Sequence, residues 1–102
     1  MSVKIALLKS GEKIISDVKE LKSEETDSVH GYLLIKPKKI DLAAPVFLAE
    51  DSTGEESSVQ VSLSQWCLIT KDTEFVIPKD WIVTFMEPVD RLLGMYEAAL
   101  ND

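Results

Sequence analysis

Two groups of residues have types and spacings suited to holding a strand of nucleic acid. His30 and Tyr32 stand two positions apart, and a base stacked on such a ring contributes about 1–3 kcal/mol. Lys36, Lys38 and Lys39 form the only dense basic cluster, and clustered ammonium groups contact phosphates without reading sequence. A plainer interpretation is also open. Tyr32 would then be a half-buried strand residue, His30 a loop residue, and the lysines a solvated edge that hinders aggregation.

Other kinds of site chemistry have little support in the sequence. The single cysteine, Cys67, excludes an intrachain disulfide and a two-cysteine zinc motif, and we expect its thiol to be buried and inert. There is no phosphate-binding glycine loop, His-Glu-x-x-His motif or nucleophile elbow. The acidic residues within 50–56 lack the spacing of an EF-hand loop. The sequence therefore predicts no catalytic residue, no metal, no cofactor and no enzymatic activity.

The composition is that of a small globular protein. The 102 residues suffice for one domain, residues 1–102, with a modest core, and apolar residues make up 45%. No apolar run approaches the roughly 20 residues of a membrane span, and the residues after Met1 lack the pattern of a secretory signal. We therefore expect a cytoplasmic protein that does not bind membranes. The net charge of −7 repels nucleic acid at long range, although salt screens this repulsion beyond about 8–10 Å.

The hydrophobic pattern predicts a series of short strands. Alternating or β-branched apolar residues indicate strands over residues 3–8, 13–21, 32–35, 59–70, 75–77 and 81–86. Gly11 favours a hairpin between the first two. Pro37 interrupts the third as a bend, bulge or edge before a continuation over 40–44. Residues 45–48 fit either strand or turn, and the acidic stretch 50–58 predicts an exposed loop.

The second half of the chain carries the largest side chains. Alternation over 59–70 predicts one long strand whose inward face includes Cys67 and Ile69. Trp66 and Trp81 fit core packing and a subunit interface equally well. Pro88 is suited to the first turn of a helix. The helix would carry an apolar stripe that covers the sheet or a neighbouring subunit, formed by Val89, Leu92, Leu93, Tyr96 and Leu100.

These elements add up to a mostly β fold. About five short antiparallel strands predict a small, strongly bent, five-stranded open barrel over about residues 3–86, followed by a helix over about 88–101. Side chains fill a barrel of this size, so that a ligand would bind on its rim. An open barrel also leaves edge strands. Pairing the last strand of one subunit with an edge of the next gives a head-to-tail contact, which closes into a ring when the rotation allows it.

Two segments resemble the paired motifs of Sm-like proteins, the group that includes the Sm and LSm proteins and bacterial Hfq. Residues 5–18, IALLKSGEKIISDV, resemble the first motif, which is a strand, a glycine turn and a second strand. Residues 75–85, FVIPKDWIVTF, resemble the second motif, in which two short strands flank a tight turn. The resemblance covers most of residues 3–86, and the whole resembles the short Sm-like proteins of marine cyanophages.

The resemblance implies a cyclic homo-oligomer, between a pentamer and a heptamer, that binds single-stranded RNA. His30 and Tyr32 would stack bases, and Lys36 and Lys79 would hold phosphates. Lys79, with Pro78 before it, stands where the family's second motif usually has an Arg-Gly turn, and no asparagine accompanies His30. For a phage protein, the compartment would be the host cytoplasm.

Two functions remain open from the sequence. A ring that binds single-stranded RNA would have a regulatory or chaperone role, and replacing Lys36 and Lys79 with alanine would weaken binding and flatten its salt dependence. The alternative is a ring that binds a protein partner as a scaffold, without nucleic acid. The net charge of −7 and the missing Arg-Gly turn favour this second function.

Overall fold

The described part of the chain is an antiparallel sheet with one helix. A computed structural model describes residues 2–43 and 60–101. The strands in these ranges are β1 (Val3–Leu8), β2 (Lys13–Lys22), β3 (Val29–Ala43), β4 (Gln60–Gln65), β5 (Glu74–Pro78) and β6 (Ile82–Met86). A 3₁₀ turn, Lys79–Trp81, joins β5 to β6, and helix α1 spans Asp90–Leu100. The predicted mostly β fold with a C-terminal helix is confirmed. The strand or turn predicted at 45–48 and the acidic loop predicted at 50–58 lie outside the described residues.

The first hairpin agrees closely with its sequence prediction. β1 pairs β2 with Ile5 opposite Ile15. Gly11 turns the chain with a φ of 94°, a left-handed conformation that glycine adopts without steric cost. β2 buries both of its faces, because Ile14 and Ile15 are both 0% exposed. The first-motif segment is therefore a strand, a glycine turn and a strand at the centre of the sheet.

The sheet curls strongly but is not closed into a barrel within the described residues. Its pairing order is β4-β3-β2-β1-β6, and β5 also pairs β3. β5 therefore lies beside β3 on the same edge as β4, four strand positions from β6, yet only the turn Lys79–Trp81 joins β5 to β6. In a flat sheet, four strand spacings would separate them by about 19 Å, which exceeds the rise of a three-residue 3₁₀ turn. The ring of Tyr32 on β3 accordingly contacts that of Phe85 on β6, with 4.7 Å between centroids.

A bulge divides β3 into two halves that pair different strands. Lys36 has a φ of 53°, and the register of the β2–β3 ladder shifts beside it, opposite Ser16. Residues 31–35 of β3 pair β5, and residues 38–43 pair β4. The interruption predicted around Pro37 is therefore a bulge inside one continuous strand.

The long strand predicted over residues 59–70 is wrong beyond Gln65. β4 ends there, and the chain leaves the sheet as the segment 66–73 before β5 begins. The ladder stops because β4 pairs β3 only as far as Lys38, where the bulge begins. Ile69, predicted to face inward, is 94% exposed. The described residues hold six strands where about five were predicted, and β4 and β5 both pair β3.

Two apolar clusters cover opposite faces of the sheet. One lies between the sheet and α1 and contains Ile15, Ile40, Leu92 and Tyr96. The other contains Ala6, Leu8 and Ile14, with Trp66, Ile82 and Phe85 packed against it. Full burial of a leucine or isoleucine side chain, as at Leu8, Ile14 and Ile15, stabilises the fold by about 1.5–3 kcal/mol. Of the two tryptophans, Trp66 packs against the second cluster, whereas Trp81 is 44% exposed.

Helix α1 begins later than its sequence prediction. Pro88 precedes the helix, and Val89 is the N-cap residue, without a side-chain capping bond. Val89 is 69% exposed, so its place in the predicted apolar stripe is wrong. Leu92 and Tyr96 are buried, and Leu93 and Leu100 are half-buried. Leu92, Tyr96 and Leu100 therefore pack on the sheet of their own chain, which is one of the two predicted positions of the stripe.

Candidate functional site

The pairing of β3 with β5 brings His30 and Lys79 together. Gly31 pairs with Pro78, so that the next positions along the two antiparallel strands are His30 and Lys79. Both side chains are exposed, and His30 is a strand residue instead of a loop residue. This end of the ladder therefore offers a ring that can stack on a base and a positive charge for a phosphate.

The approach of β5 to β3 at this point requires a glycine. Gly31 is buried, and a Cβ atom added to it would lie 2.7 Å from the carbonyl oxygen of Ile77. That separation is shorter than van der Waals contact, so any side chain would push β5 away. Gly31 consequently sets the spacing between His30 and Lys79.

Tyr32 lies in the same part of β3, but part of its ring packs against Phe85. Its ring meets that of Phe85 edge to face, with an interplanar angle of 75°, and the side chain is half-buried. An aromatic pair in this geometry is worth about 0.5–1.5 kcal/mol beyond the area it buries. Tyr32 thus supports the curl of the sheet, and its remaining surface lies two positions from His30.

Lys36 is not part of this group. It follows His30 by six residues on β3, roughly 20 Å at the rise of an extended strand. Its backbone N–H donates to the carbonyl oxygen of Thr73 at 2.6 Å, at the end of β5 away from Lys79. The four predicted RNA-binding residues therefore divide into His30, Tyr32 and Lys79 at one end of the β3–β5 ladder and Lys36 at the other.

The predicted lysine cluster also divides. Lys39 lies 3.9 Å from the carboxylate of Asp41 in an exposed ion pair, which contributes little to stability. Lys36 and Lys38 line a cavity of ≈ 200 Å³. We name it the bend cleft, because its walls are the bulge of β3, the segment 66–73 with the start of β5, and the last turn of α1.

The aromatic residues of the bend cleft were not predicted as a site. Trp66 and Phe75 contact edge to face with 5.3 Å between ring centroids, and both line the cavity. The alternation over 59–70 assigned Trp66 to a regular strand. The signal against that assignment is the polar run from Thr70 to Glu74, which separates the two rings in sequence and predicts an excursion from the sheet.

Buried hydroxyl groups hold the bulge beside the bend cleft. The Tyr96 Oη atom lies 3.0 Å from the carbonyl oxygen of Lys36 and 3.1 Å from that of Ile35. It also accepts the backbone N–H of Asp17 at 3.2 Å, and the Ser16 hydroxyl donates to Ile35 at 3.0 Å. Burial raises the pKa of Tyr96, because a phenolate is poorly solvated there. The hydroxyl group therefore retains its proton, which it donates to the carbonyl oxygens of the bulge.

In residues 2–43 and 60–101, no three His, Cys, Asp or Glu side chains come together as metal ligands. No helix within the same two ranges has both the length and the hydropathy to cross a bilayer. Cys67, predicted to be buried, is half-buried and lines the bend cleft.

The sequence is similar to one family model along almost its whole length. The match extends over residues 1–101, and the model is described as a family of unknown function, DUF6561. No curated protein matches the chain. Both candidate surfaces, the His30–Lys79 end of the β3–β5 ladder and the bend cleft, lie within the matched residues. The chain therefore belongs to DUF6561, a family of unknown function.

Proposed function

We propose that this chain is an Sm-like subunit that assembles into a closed ring, and that the ring binds single-stranded RNA beside His30, Tyr32 and Lys79. The observation that carries the proposal is the pair of strands at the ends of the curled sheet. Among the described strands, β5 pairs only β3 and β6 pairs only β1. Each strand therefore presents one edge of backbone donors and acceptors to a neighbour. Pairing β6 of one subunit with β5 of the next is a head-to-tail contact, the type that generates rings.

Exposed apolar side chains on the same two strands support assembly. Val76 on β5 is 66% exposed, Val83 on β6 is 57% exposed, and Trp81 in the turn between them is 44% exposed. Exposed apolar patches on a monomer surface mark interaction sites, and tryptophan is enriched at interfaces. Ring formation would remove these side chains from water.

The RNA-binding part of the proposal depends on His30 and Lys79. In a ring, each subunit contributes one such pair, and several weak contacts on one strand raise the overall affinity through effective concentration. The net charge of −7 opposes this binding at long range. We therefore expect affinity for RNA to fall steeply as salt rises.

Assembly is tested by the mass of the protein in solution. Native mass spectrometry of the wild type should give a closed oligomer, and Val76→Glu and Val83→Glu should each give monomers, because a carboxylate would be buried in the interface. Ile69→Glu is the matched control, since Ile69 is at least as exposed but lies on neither strand. A monomeric wild type would remove the ring from the proposal.

RNA binding is tested by fluorescence anisotropy of short labelled uridine-rich and adenine-rich RNAs, at low and at physiological salt. Wild-type protein should bind saturably, and His30→Ala and Lys79→Ala should each weaken binding about tenfold, which corresponds to 1.4 kcal/mol. Lys71→Ala is the control, because Lys71 is also an exposed lysine but lies on another surface. Absence of binding by the wild type even at low salt would contradict the RNA-binding part alone.

A protein scaffold is the second candidate function. Leu68 and Ile69 are adjacent in a turn and are 80% and 94% exposed, an apolar tip that suits a protein partner better than a phosphate backbone. The net charge of −7 favours the same function. Purified protein free of RNA, with a bound partner that Ile69→Glu releases while the ring persists, would favour the scaffold over the RNA-binding ring.

A further inference from the structure

The bend cleft is lined both by lysine side chains and by aromatic rings. Lys36 is exposed and Lys38 is half-buried, and neither forms an ion pair with another described residue. Behind them stand the rings of Trp66 and Phe75. Ammonium groups bind anions, and aromatic rings bind flat apolar groups. The cleft is therefore matched to a planar ring that carries a negative charge.

The size of the cleft restricts the ligand. An engineered protein cavity of about 150 Å³ accepts benzene, so the ≈ 200 Å³ of the bend cleft accommodates one small ring system. Larger, drug-like ligands occupy about 300–1,000 Å³. A substituent on the ring would have to extend past the rim, where Lys36 is exposed.

The polar residues of the rim restrict the ligand further. Gln65, Asp72 and Thr73 also line the cleft, so that its lining contains one carboxylate as well as the two lysines. Asp72 would repel a ligand that is only an anion, but it would accept hydrogen bonds from hydroxyl or amino groups. Ring, hydroxyl groups and phosphate occur together in a nucleotide.

We propose that the bend cleft binds a nucleoside monophosphate unit, with the base against Trp66 and Phe75 and the phosphate held by Lys36 and Lys38. The unit is either a free mononucleotide or the phosphorylated end of a strand. This site does not depend on ring assembly, and it is separate from the His30–Lys79 surface at the other end of the β3–β5 ladder.

The cleft is held in shape before any ligand arrives. The carbonyl group of Lys36 bonds to Tyr96 at 3.0 Å, and its N–H bonds to Thr73 at 2.6 Å. The bulge of β3 is thus tied both to α1 and to the segment 66–73. A binding site that is already ordered loses less conformational entropy when the ligand binds.

Trp66 reports on binding directly. The chain has two tryptophans, so that Trp81→Phe leaves Trp66 as the only one. In this background, adenosine and uridine monophosphate should change the fluorescence saturably, with a dissociation constant below about 1 mM. Lys36→Gln combined with Lys38→Gln should weaken binding at least tenfold. Lys39→Gln, on the same strand but outside the cleft, should leave the constant unchanged.

Cys67 gives an independent readout, because it is the only cysteine and lines the cleft. Saturating mononucleotide should slow its alkylation by a neutral maleimide at least threefold. No saturable fluorescence change at ten times the expected constant, or equal affinity in the double lysine variant and the wild type, would overturn the proposal. Inorganic phosphate that binds as tightly as the mononucleotide would overturn it too, since the base would then contribute nothing to the affinity.

The source of the ligand is decided by competition. A short RNA with a 5′-phosphate that displaces the mononucleotide, while the same RNA with a 5′-hydroxyl does not, supports the end of a strand. Failure of both RNAs to displace a bound mononucleotide supports a free nucleotide. His30→Ala should not change either result, so that failure of the RNA-binding proposal and failure of this one remain distinguishable.

Discussion

The hydroxyl group of Tyr96 lies 3.0 Å from the carbonyl oxygen of Lys36, which joins the C-terminal helix to the bulge of β3. Tyr96 is 0% exposed, so its ring packs in the core while its oxygen serves the backbone of the sheet. The bulge separates the part of β3 that pairs β5 from the part that pairs β4. One side chain therefore stabilises both the packing of α1 and the point where the two ladders separate.

We predict that Tyr96→Phe lowers the free energy of unfolding by about 1–3 kcal/mol. The ring is retained, but the carbonyl groups of the bulge and the N–H of Asp17 lose a partner, and unsatisfied buried polar groups carry a cost of this size. Urea denaturation at one fixed protein concentration measures it. Tyr32→Phe is the control, because the Tyr32 hydroxyl bonds to none of the described residues. Equal losses in both variants would contradict the assigned role.

Alkaline pH should destabilise the wild type through the same hydroxyl. Folding raises the pKa of Tyr96 above its ordinary value of about 10, so the folded state holds the proton more tightly than the unfolded state. This contribution is fully present below about pH 10 and is lost as pH rises through the raised pKa. Within that window, stability should fall by up to about 1.4 kcal/mol per pH unit more in the wild type than in Tyr96→Phe. Parallel pH profiles of the two proteins would show that Tyr96 does not titrate in this way.

The sequence was sufficient for elements whose pattern is local. The alternation of β1, the glycine of the first hairpin and the spacing of Leu92 and Tyr96 each reflect one face of one element. The end of β4 could not be predicted in this way. The alternation continues past Gln65, but the bulge at Lys36, nearly thirty residues earlier in the chain, leaves those residues without a paired strand in β3.

The candidate sites divide for the same reason. The resemblance to Sm-like proteins implies one RNA-binding site of His30, Tyr32, Lys36 and Lys79, but Lys36 lies at the other end of the β3–β5 ladder from His30 and Lys79. Their actual proximity depends on the register of β3 with β5. The bend cleft escaped prediction because Lys36 and Trp66 meet only where two strands leave their ladders.

Replacing Gly31 should disturb the β3–β5 ladder. A Cβ atom at this position would overlap the backbone of Ile77, and forced displacements of a packed backbone cost about 1–3 kcal/mol. Gly31→Ala should therefore unfold at lower urea and should weaken any RNA binding by His30 and Lys79. Gly94→Ala is the control with the opposite sign, since a Cβ there meets open space and alanine stabilises a helix by about 1 kcal/mol relative to glycine. Comparable stability of the two variants would contradict the contact at Gly31.

The bulge should reverse the usual ranking of glycine and alanine. At Lys36 the φ of 53° costs a residue with a Cβ about 1–2 kcal/mol, so that Lys36→Gly should be more stable than Lys36→Ala by about 1 kcal/mol. At Lys38, which lies in the same strand without a positive φ, alanine should be the more stable of the two, because glycine has more conformational freedom to lose. Chemical denaturation of the four variants measures both differences, and the same order at both positions would exclude a left-handed Lys36.

The start of α1 can be improved by one hydroxyl group. Val89 occupies the N-cap position with extended backbone angles, φ −69° and ψ 158°, and has no capping bond. Threonine has nearly the same shape, tolerates these angles and can accept a backbone N–H of the first turn. Val89→Thr should therefore raise the free energy of unfolding by about 1 kcal/mol, or the melting temperature by about 4–8 °C.

Val83→Thr makes the same chemical change at another exposed valine outside a helix terminus and should not stabilise the protein. Because Val83 lies in the proposed interface, the comparison is made with both proteins at the same concentration and with their masses measured. A gain confined to Val89→Thr would identify capping, and not the removal of an exposed apolar side chain, as its cause.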